Sequence, residues 1–279
     1  MNDPSSFYLR AKALIMKRIL ANDGIHSDGK SKLEAHGFEL VTERIENEDL
    51  PAQLPAYDAI LVRSATKVRA SLIDQCPNLK LIGRGGVGMD NIDVDYAESK
   101  GIKVINTPAA SSRSVAELAL GHMISLARGL HLSNREMPER GVEEFKKLKK
   151  SYSNGFELQG KSIGIIGYGR IGQKVGELAL AMGMNVMPVG RTKKSYDIKL
   201  SFPFLESFIS TSIQGYTMDE MLPKADFISI HVPSQDEPLI GKNEIDQMKA
   251  SVILVNTSRG GIIDEQALIE ALDSGRIHG

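Results

Sequence analysis

Ser162-Ile163-Gly164-Ile165-Ile166-Gly167-Tyr168-Gly169-Arg170-Ile171-Gly172 is the stretch whose reading decides the fold. Ile163 to Ile166 is a short, β-branched apolar run, which predicts a buried strand. Gly167, Gly169 and Gly172 follow at the Gly-x-Gly-x-x-Gly spacing. Gln173 to Met182 then reads as a helix, with Val175, Leu178, Ala179 and Met182 on one face and Gly183 as its stop. A strand, a tight turn and a helix in that order suit a dinucleotide. The first glycine makes the turn, the second lets backbone approach a pyrophosphate, and the third lets helix and strand pack closely. The helix N-terminus then offers N–H groups and the positive end of its dipole to the phosphates.

Gly83, Gly85 and Gly88 repeat the spacing after the strand-like Leu79 to Ile82. Behind them, Met89-Asp90-Asn91-Ile92-Asp93 is turn-like, and no helix starts directly after Gly88. The Gly167 copy is therefore read as the dinucleotide loop. The plainer alternative is a strand–helix turn that only needs small residues.

Around this stretch the chain alternates. From Lys17 to Asn106, strand-like runs (Arg18–Ala21, Phe38–Thr42, Ala59–Val62, Lys80–Gly83, Lys103–Ile105) alternate with helix-like runs (Gly29–His36, Ala70–Gln75, Val94–Lys100), with Gly37 and Gly101 as stops. A second alternation starts at Lys161. Its strands are Ser162–Ile166, Asn185–Val189, Phe227–His231 and Val252–Asn256. Its helices are Gln173–Met182, Met218–Leu222, Lys242–Met248 and Glu265–Leu272. Such alternation predicts an α/β protein of two doubly wound parallel sheets. Asn106-Thr107-Pro108 breaks the pattern, so the expected domains are 16–107 and 108–279, with 1–15 as an extension outside the fold.

Ser114-Val115-Ala116-Glu117 reads as a capping box opening a long helix to about Leu130. Residues 131–158 are charged, contain Pro138 and Gly141, and read as a solvated loop and helix, or as an arm around a partner subunit. Asp197–Phe202 and Phe208–Ile213 alternate polar and apolar around Pro203, like an inserted hairpin. Pro188 is unexpected in a central strand, because it cannot donate to the ladder.

Composition narrows the classes. The chain has 279 residues, 42% of them hydrophobic, enough to bury the cores of about two domains. A formal net charge of −1 gives no long-range pull towards nucleic acid or an anionic membrane. No apolar run is long enough to span a bilayer, and Met1 to Ile15 does not fit a secretory signal. Cys76 is the single cysteine, which favours a reducing cytoplasm. No metal site is expected.

Several residues carry chemistry. Dinucleotide folds selective for NAD usually place an acid at the end of the second strand, on the ribose 2′-OH. Here Val186-Met187-Pro188-Val189-Gly190-Arg191-Thr192-Lys193-Lys194 has no carboxylate. A basic, hydroxyl-bearing loop suits a 2′-phosphate, or it is a set of surface lysines beside a tolerated glycine. Asn256-Thr257-Ser258-Arg259-Gly260-Gly261 follows a buried strand, where ligands of open α/β sheets bind. Arg259 is thus placed to grip a substrate carboxylate in two prongs and polarise a ketone; its alternative is a salt bridge to Asp264 or Glu265. Arg63-Ser64-Ala65-Thr66 and the bare N–H groups of Gly85-Gly86-Val87-Gly88 could cup an anion. His231 ends a strand and reads as structural.

Taken in order, Val62-Arg63-Ser64-Ala65-Thr66-Lys67-Val68, the Gly83 to Asp93 segment, Gly167-Tyr168-Gly169-Arg170-Ile171-Gly172 and Asn256 to Gly261 resemble the D-isomer-specific 2-hydroxyacid dehydrogenases, from about Met16 to Gly279. The first two are most similar to the members that oxidise 3-phosphoglycerate to 3-phosphohydroxypyruvate in serine biosynthesis. The resemblance implies a flavodoxin-like substrate domain, a Rossmann domain and hydride transfer with NAD or NADP. It implies that Arg259 is catalytic, that Arg63, Ser64, Gly85 and Gly86 face the substrate, and that Val87, Arg170, Ile171, Val232, Pro233, Thr257 and Ser258 join the glycines and Arg259 around the dinucleotide. It also implies a homodimer built by the long helix and the arm after it.

Two departures stand out. The family's ribose-binding aspartate falls at Gly190, and Gly190-Arg191 resembles the NADP-preferring glyoxylate/hydroxypyruvate reductases. The family's acid/base histidine and its glutamate partner fall beyond Gly279, so the 279 residues are expected to bind cofactor with negligible turnover. A dinucleotide-sensing corepressor on the same scaffold is the non-enzymatic alternative.

Overall fold

Both alternating runs become parallel sheets in a computed structural model, which describes residues 17–279 apart from 202, 203 and 205. The chain divides into two units between Ala110 and Ser111; the boundary expected at Thr107 lies within the first. The extension expected over 1–15 lies outside the described residues.

In the first unit, β1 (Arg18–Ala21), α1 (Ser27–Ala35), β2 (Glu39–Val41), α2 (Leu50–Gln53), β3 (Ala59–Val62), α3 (Ala70–Ile73), β4 (Leu81–Arg84), α4 (Val94–Ser99) and β5 (Lys103–Asn106) follow one another. The strands are all parallel, in the order β2-β1-β3-β4-β5. This is the flavodoxin-like order. Leu20, Ile60 and Ile82 are fully buried from one face of it, against Leu50, Leu54, Leu72 and Ile73. α2 and the 3-10 turn Leu54–Ala56 were not foreseen between Thr42 and Ala59. Pro51 and Pro55 each sit in the first turn of one of them, where a missing N–H costs nothing.

In the second unit, α5 (Ser112–Arg128) and α6 (Leu130–Ser151) precede β6 (Ser162–Ile166), α7 (Arg170–Ala181), β7 (Asn185–Val189), β8 (Ser195–Ser201) and β9 (Phe208–Gln214). Then come α8 (Met218–Met221), β10 (Phe227–Ile230), α9 (Lys242–Gln247), β11 (Ile253–Asn256) and α10 (Glu265–Asp273). The main sheet is parallel, in the order β11-β10-β6-β7. Its two faces follow the period-two rule. Ile163, Ile165 and Phe227 pack with Ala116, Met123, Val175 and Ala179 of α5 and α7. Ile166, Ile228 and Ile230 pack on the other side with Met221, Ile245 and Ala271.

Two expectations are corrected, the capping box and the place of Pro188. The Ser114–Glu117 capping box does not form. The helix starts earlier, at Ser112, the Ser114 hydroxyl donates to the Ser111 carbonyl at 3.0 Å, and Glu117 pairs with Arg113 one turn back at 2.6 Å. The stretch read as loop and helix is helix through Ser151, with Pro138 inside and a single break at Glu144, and a 3-10 turn and irregular backbone follow to residue 158. Arg140 spans that stretch, paired with Glu136 at 3.0 Å and Glu144 at 2.5 Å. Pro188 lies in β7, the edge of the sheet and not its centre, so its missing N–H breaks no ladder. Its carbonyl accepts from the Tyr216 N–H at 2.7 Å. The inserted hairpin is present: β8 and β9 pair antiparallel from Ser195↔Gln214 to Ser201↔Phe208.

Candidate functional site

Parallel register brings four strand ends level in the second unit: Val189, Ile166, Ile230 and Asn256 lie in one row across the sheet. The chain leaves β6 for β7 on one side and later crosses to β10 on the other. The strand order therefore reverses between β6 and β10, and a crevice opens there beyond their carboxyl ends.

Gly167 turns the chain at that point with φ of +88°, and a Cβ on it would lie 2.5 Å from the His231 carbonyl oxygen. Both the turn and the close approach exclude a side chain. A Cβ on Gly172 would overlap the Gly167 carbonyl, so α7 and β6 could not pack as they do. Gly169 has open space where a Cβ would be, and it caps α7 without any side-chain hydrogen bond. The first amides of a helix have no carbonyl ahead of them. Here Arg170, Ile171 and Gly172 form that first turn, which fits a phosphate from the open side of Gly169.

A cavity of about 530 Å³ lies over this turn. It gathers Gly167, Gly169, Gly190, Arg191, Val232 and Pro233 from the tips of β6, β7 and β10, all of them expected from sequence. Thr257, Ser258 and Arg259 do not line it. They follow β11, beyond β10, at the same edge of the sheet. Asn256 fixes their loop: its Nδ2 donates to the Arg259 carbonyl at 2.7 Å, and its Oδ1 accepts from the Ser258 N–H at 2.9 Å and hydroxyl at 2.6 Å. The Arg259 Nη1 donates to the Ser258 carbonyl at 2.9 Å.

The charges around the cavity are sorted by their partners. Lys193 is paired with Glu220 at 2.6 Å, and that carboxylate also closes the capping box of α8 with Thr217. Arg191 and Lys194 line the cavity and form no ion pair among the described residues. His231 is a wall of the same cavity. Its Nε2 lies 2.8 Å from the Ser229 hydroxyl, its Nδ1 is buried without a partner among the described residues, and burial pushes its pKa down to about 4. It is neutral near pH 7.

In the first unit, the Arg63 loop is held in place by residues that the sequence reading missed. The Asp23 carboxylate accepts from the Arg63 N–H at 2.6 Å, the Thr66 N–H at 3.2 Å and the Thr66 hydroxyl at 2.6 Å. Burial alone would raise the Asp23 pKa, but these hydrogen bonds more than reverse it and hold the group below its ordinary range. The Asn91 amide donates to the carbonyls of Arg63 at 3.1 Å and Thr66 at 2.6 Å, and its oxygen accepts from Arg84 Nε at 3.2 Å. Arg63 and Gly85 line a cavity of about 720 Å³, and Ser64 lies in an open depression beside Arg63 and Arg44. Gly86 packs under the Arg84 guanidinium. The Val87 carbonyl accepts from Asn106 Nδ2 at 2.7 Å. The available signal for Asp23 was its place just past the tip of β1, where an α/β sheet puts its site residues.

Comparison with known proteins gives a consistent result. Residues 120–279 match the family model described as D-isomer specific 2-hydroxyacid dehydrogenase, NAD binding domain. The chain is 40% identical over 264 residues to a hydroxypyruvate reductase of Thermotoga maritima, covering 94% of this chain and 80% of that one. It is 41% identical over 267 residues to a D-3-phosphoglycerate dehydrogenase of Methanocaldococcus jannaschii, covering 94% of this chain but 48% of the relative, about half its length. Among solved structures, the TT0316 protein from Thermus thermophilus superposes with a TM-score of 0.78 at 28% identity, over 94% of this chain and 80% of that one.

Proposed function

Because this chain belongs to the D-isomer specific 2-hydroxyacid dehydrogenase family, we propose that it serves hydride transfer between NAD or NADP and a D-2-hydroxy acid, most simply 3-phosphoglycerate. The observation that carries this reading is the strand–turn–helix at Gly167. It stands at the point of strand-order reversal, with a helix whose N-cap is a glycine, Gly169, on the wall of a cavity of about 530 Å³.

A bound nicotinamide supplies or accepts the hydride. The chain's own residues do the rest. Gly167, Gly169 and the first turn of α7 hold the pyrophosphate by backbone amides. Val232 and Pro233 cover the dinucleotide with an apolar wall that keeps water from the reacting carbon. Arg259, on a loop stiffened by Asn256, binds the carboxylate of the acid and stabilises charge that develops on its oxygen. In the first unit, Arg63 and Ser64, on the loop clamped by Asp23, offer a cation and a hydroxyl suited to an anionic group. Exposed Leu118, Leu130, Leu132, Val142 and Phe145 on α5 and α6 support a homodimer.

Hydroxypyruvate is the second reading, favoured by Gly190-Arg191 and by the Thermotoga relative. Titration calorimetry with NADH and NADPH tests dinucleotide binding. Nicotinamide absorbance with 3-phosphohydroxypyruvate and with hydroxypyruvate then separates the substrates. A folded protein that binds neither dinucleotide refutes the proposal.

A further inference from the structure

The β8–β9 hairpin forms a two-stranded sheet apart from the parallel one, and it reaches the cavity. Tyr196, in β8, lines the cavity wall beside Gly190 and Arg191. A Cβ on Gly190 would overlap the Tyr196 hydroxyl. The space that a side chain at the end of β7 would fill is thus already taken, by a residue from the insertion. The ring is held there: it stands edge-on to Tyr168 of the Gly167 turn at 4.7 Å between centroids, with the Lys194 ammonium over its face at 5.3 Å. Ile198, two residues on and on the same side of the strand, is buried in the core with Val175 and Ala179 of α7. The Tyr196 hydroxyl makes no hydrogen bond among the described residues, and it is not among the buried polar atoms that lack a partner. It is therefore a donor available to a ligand.

We propose that this hairpin decides which dinucleotide is accepted. Tyr196 excludes an acidic ribose-binding side chain at position 190. Its hydroxyl, with Arg191 and Lys194, forms a pocket for a phosphate on the 2′ position of the adenosine ribose. The inference rests on the dinucleotide reading of the cavity. Its chemistry is complementary: two cations without ion pairs and one neutral donor meet a dianion, whereas a bare 2′-OH leaves both cations unused. Lys193, already neutralised by Glu220, has no part in it.

The test is titration calorimetry with NADPH and NADH on the 279-residue chain, with thermal melts confirming the fold of each variant. The wild type is expected to bind NADPH at least tenfold more tightly than NADH. Tyr196→Phe and Lys194→Gln are each expected to weaken NADPH several-fold and leave NADH unchanged. Gly190→Asp is expected to lose both dinucleotides, because its carboxylate meets the tyrosine. Adding Tyr196→Ala to Gly190→Asp is expected to restore NADH alone. Equal binding of both dinucleotides by the wild type, or NADH binding by Gly190→Asp without the second change, overturns the inference and leaves the dehydrogenase reading standing. Failure of the folded wild type to bind either one overturns both.

Discussion

Protonation of His231 should weaken the second unit as the pH falls. The imidazole is enclosed beside the cavity, with Nε2 on Ser229 and Nδ1 without a partner among the described residues, and burial lowers its pKa from 6.5 to about 4. In the unfolded chain it titrates at its ordinary value. Between the two pKa values the unfolded state therefore binds more protons than the folded one, so stability falls with falling pH through that window. Its full benefit is present above pH 6.5, and the loss levels off below about pH 4. At pH 5 the difference amounts to about 2 kcal/mol relative to pH 8. Urea unfolding of the wild type and of His231→Gln, each at pH 8 and pH 5, isolates this share, because carboxylates titrate equally in both proteins. The wild type should lose about 2 kcal/mol more than the variant on acidification. The same loss in both proteins, or a His231 ring resonance that titrates near 6.5 by NMR, refutes the reasoning.

Gly167→Ala adds a Cβ at a left-handed φ and against the His231 carbonyl. The strain, about 1–3 kcal/mol, should weaken dinucleotide binding roughly tenfold or more by calorimetry. Asp23→Ala removes three hydrogen bonds from the Arg63 loop and should cost the first unit about 3 kcal/mol in urea unfolding, with dinucleotide affinity unchanged. Phe227→Ala empties a fully buried ring position and should cost the second unit about 3–5 kcal/mol. Val142→Ala, at a residue 98% exposed, should shift stability by less than about 0.5 kcal/mol in the monomer.

The sequence by itself determined the two parallel sheets and the strand–turn–helix at Gly167. Short, continuous apolar runs ending in glycine, such as Ile163–Gly167, state strand, turn and helix within a dozen residues, and no distant partner is needed to read them. It also marked Gly190 as a departure, because the missing carboxylate is a local fact. Tertiary structure alone decided the rest. Pro188 is tolerable because β7 is an edge, and edge or centre is a property of strand order. How far helix extends into the charged stretch after Leu130 was also decided there: it continues across Pro138 to Ser151, with Arg140 paired to Glu136 and Glu144. Asp23 meets the Arg63 loop across forty positions of chain, and Tyr196 fills the space beside Gly190 from an inserted hairpin. Local patterning fixes backbone periodicity, whereas the neighbours of a side chain are set by how the strands order and fold back on one another.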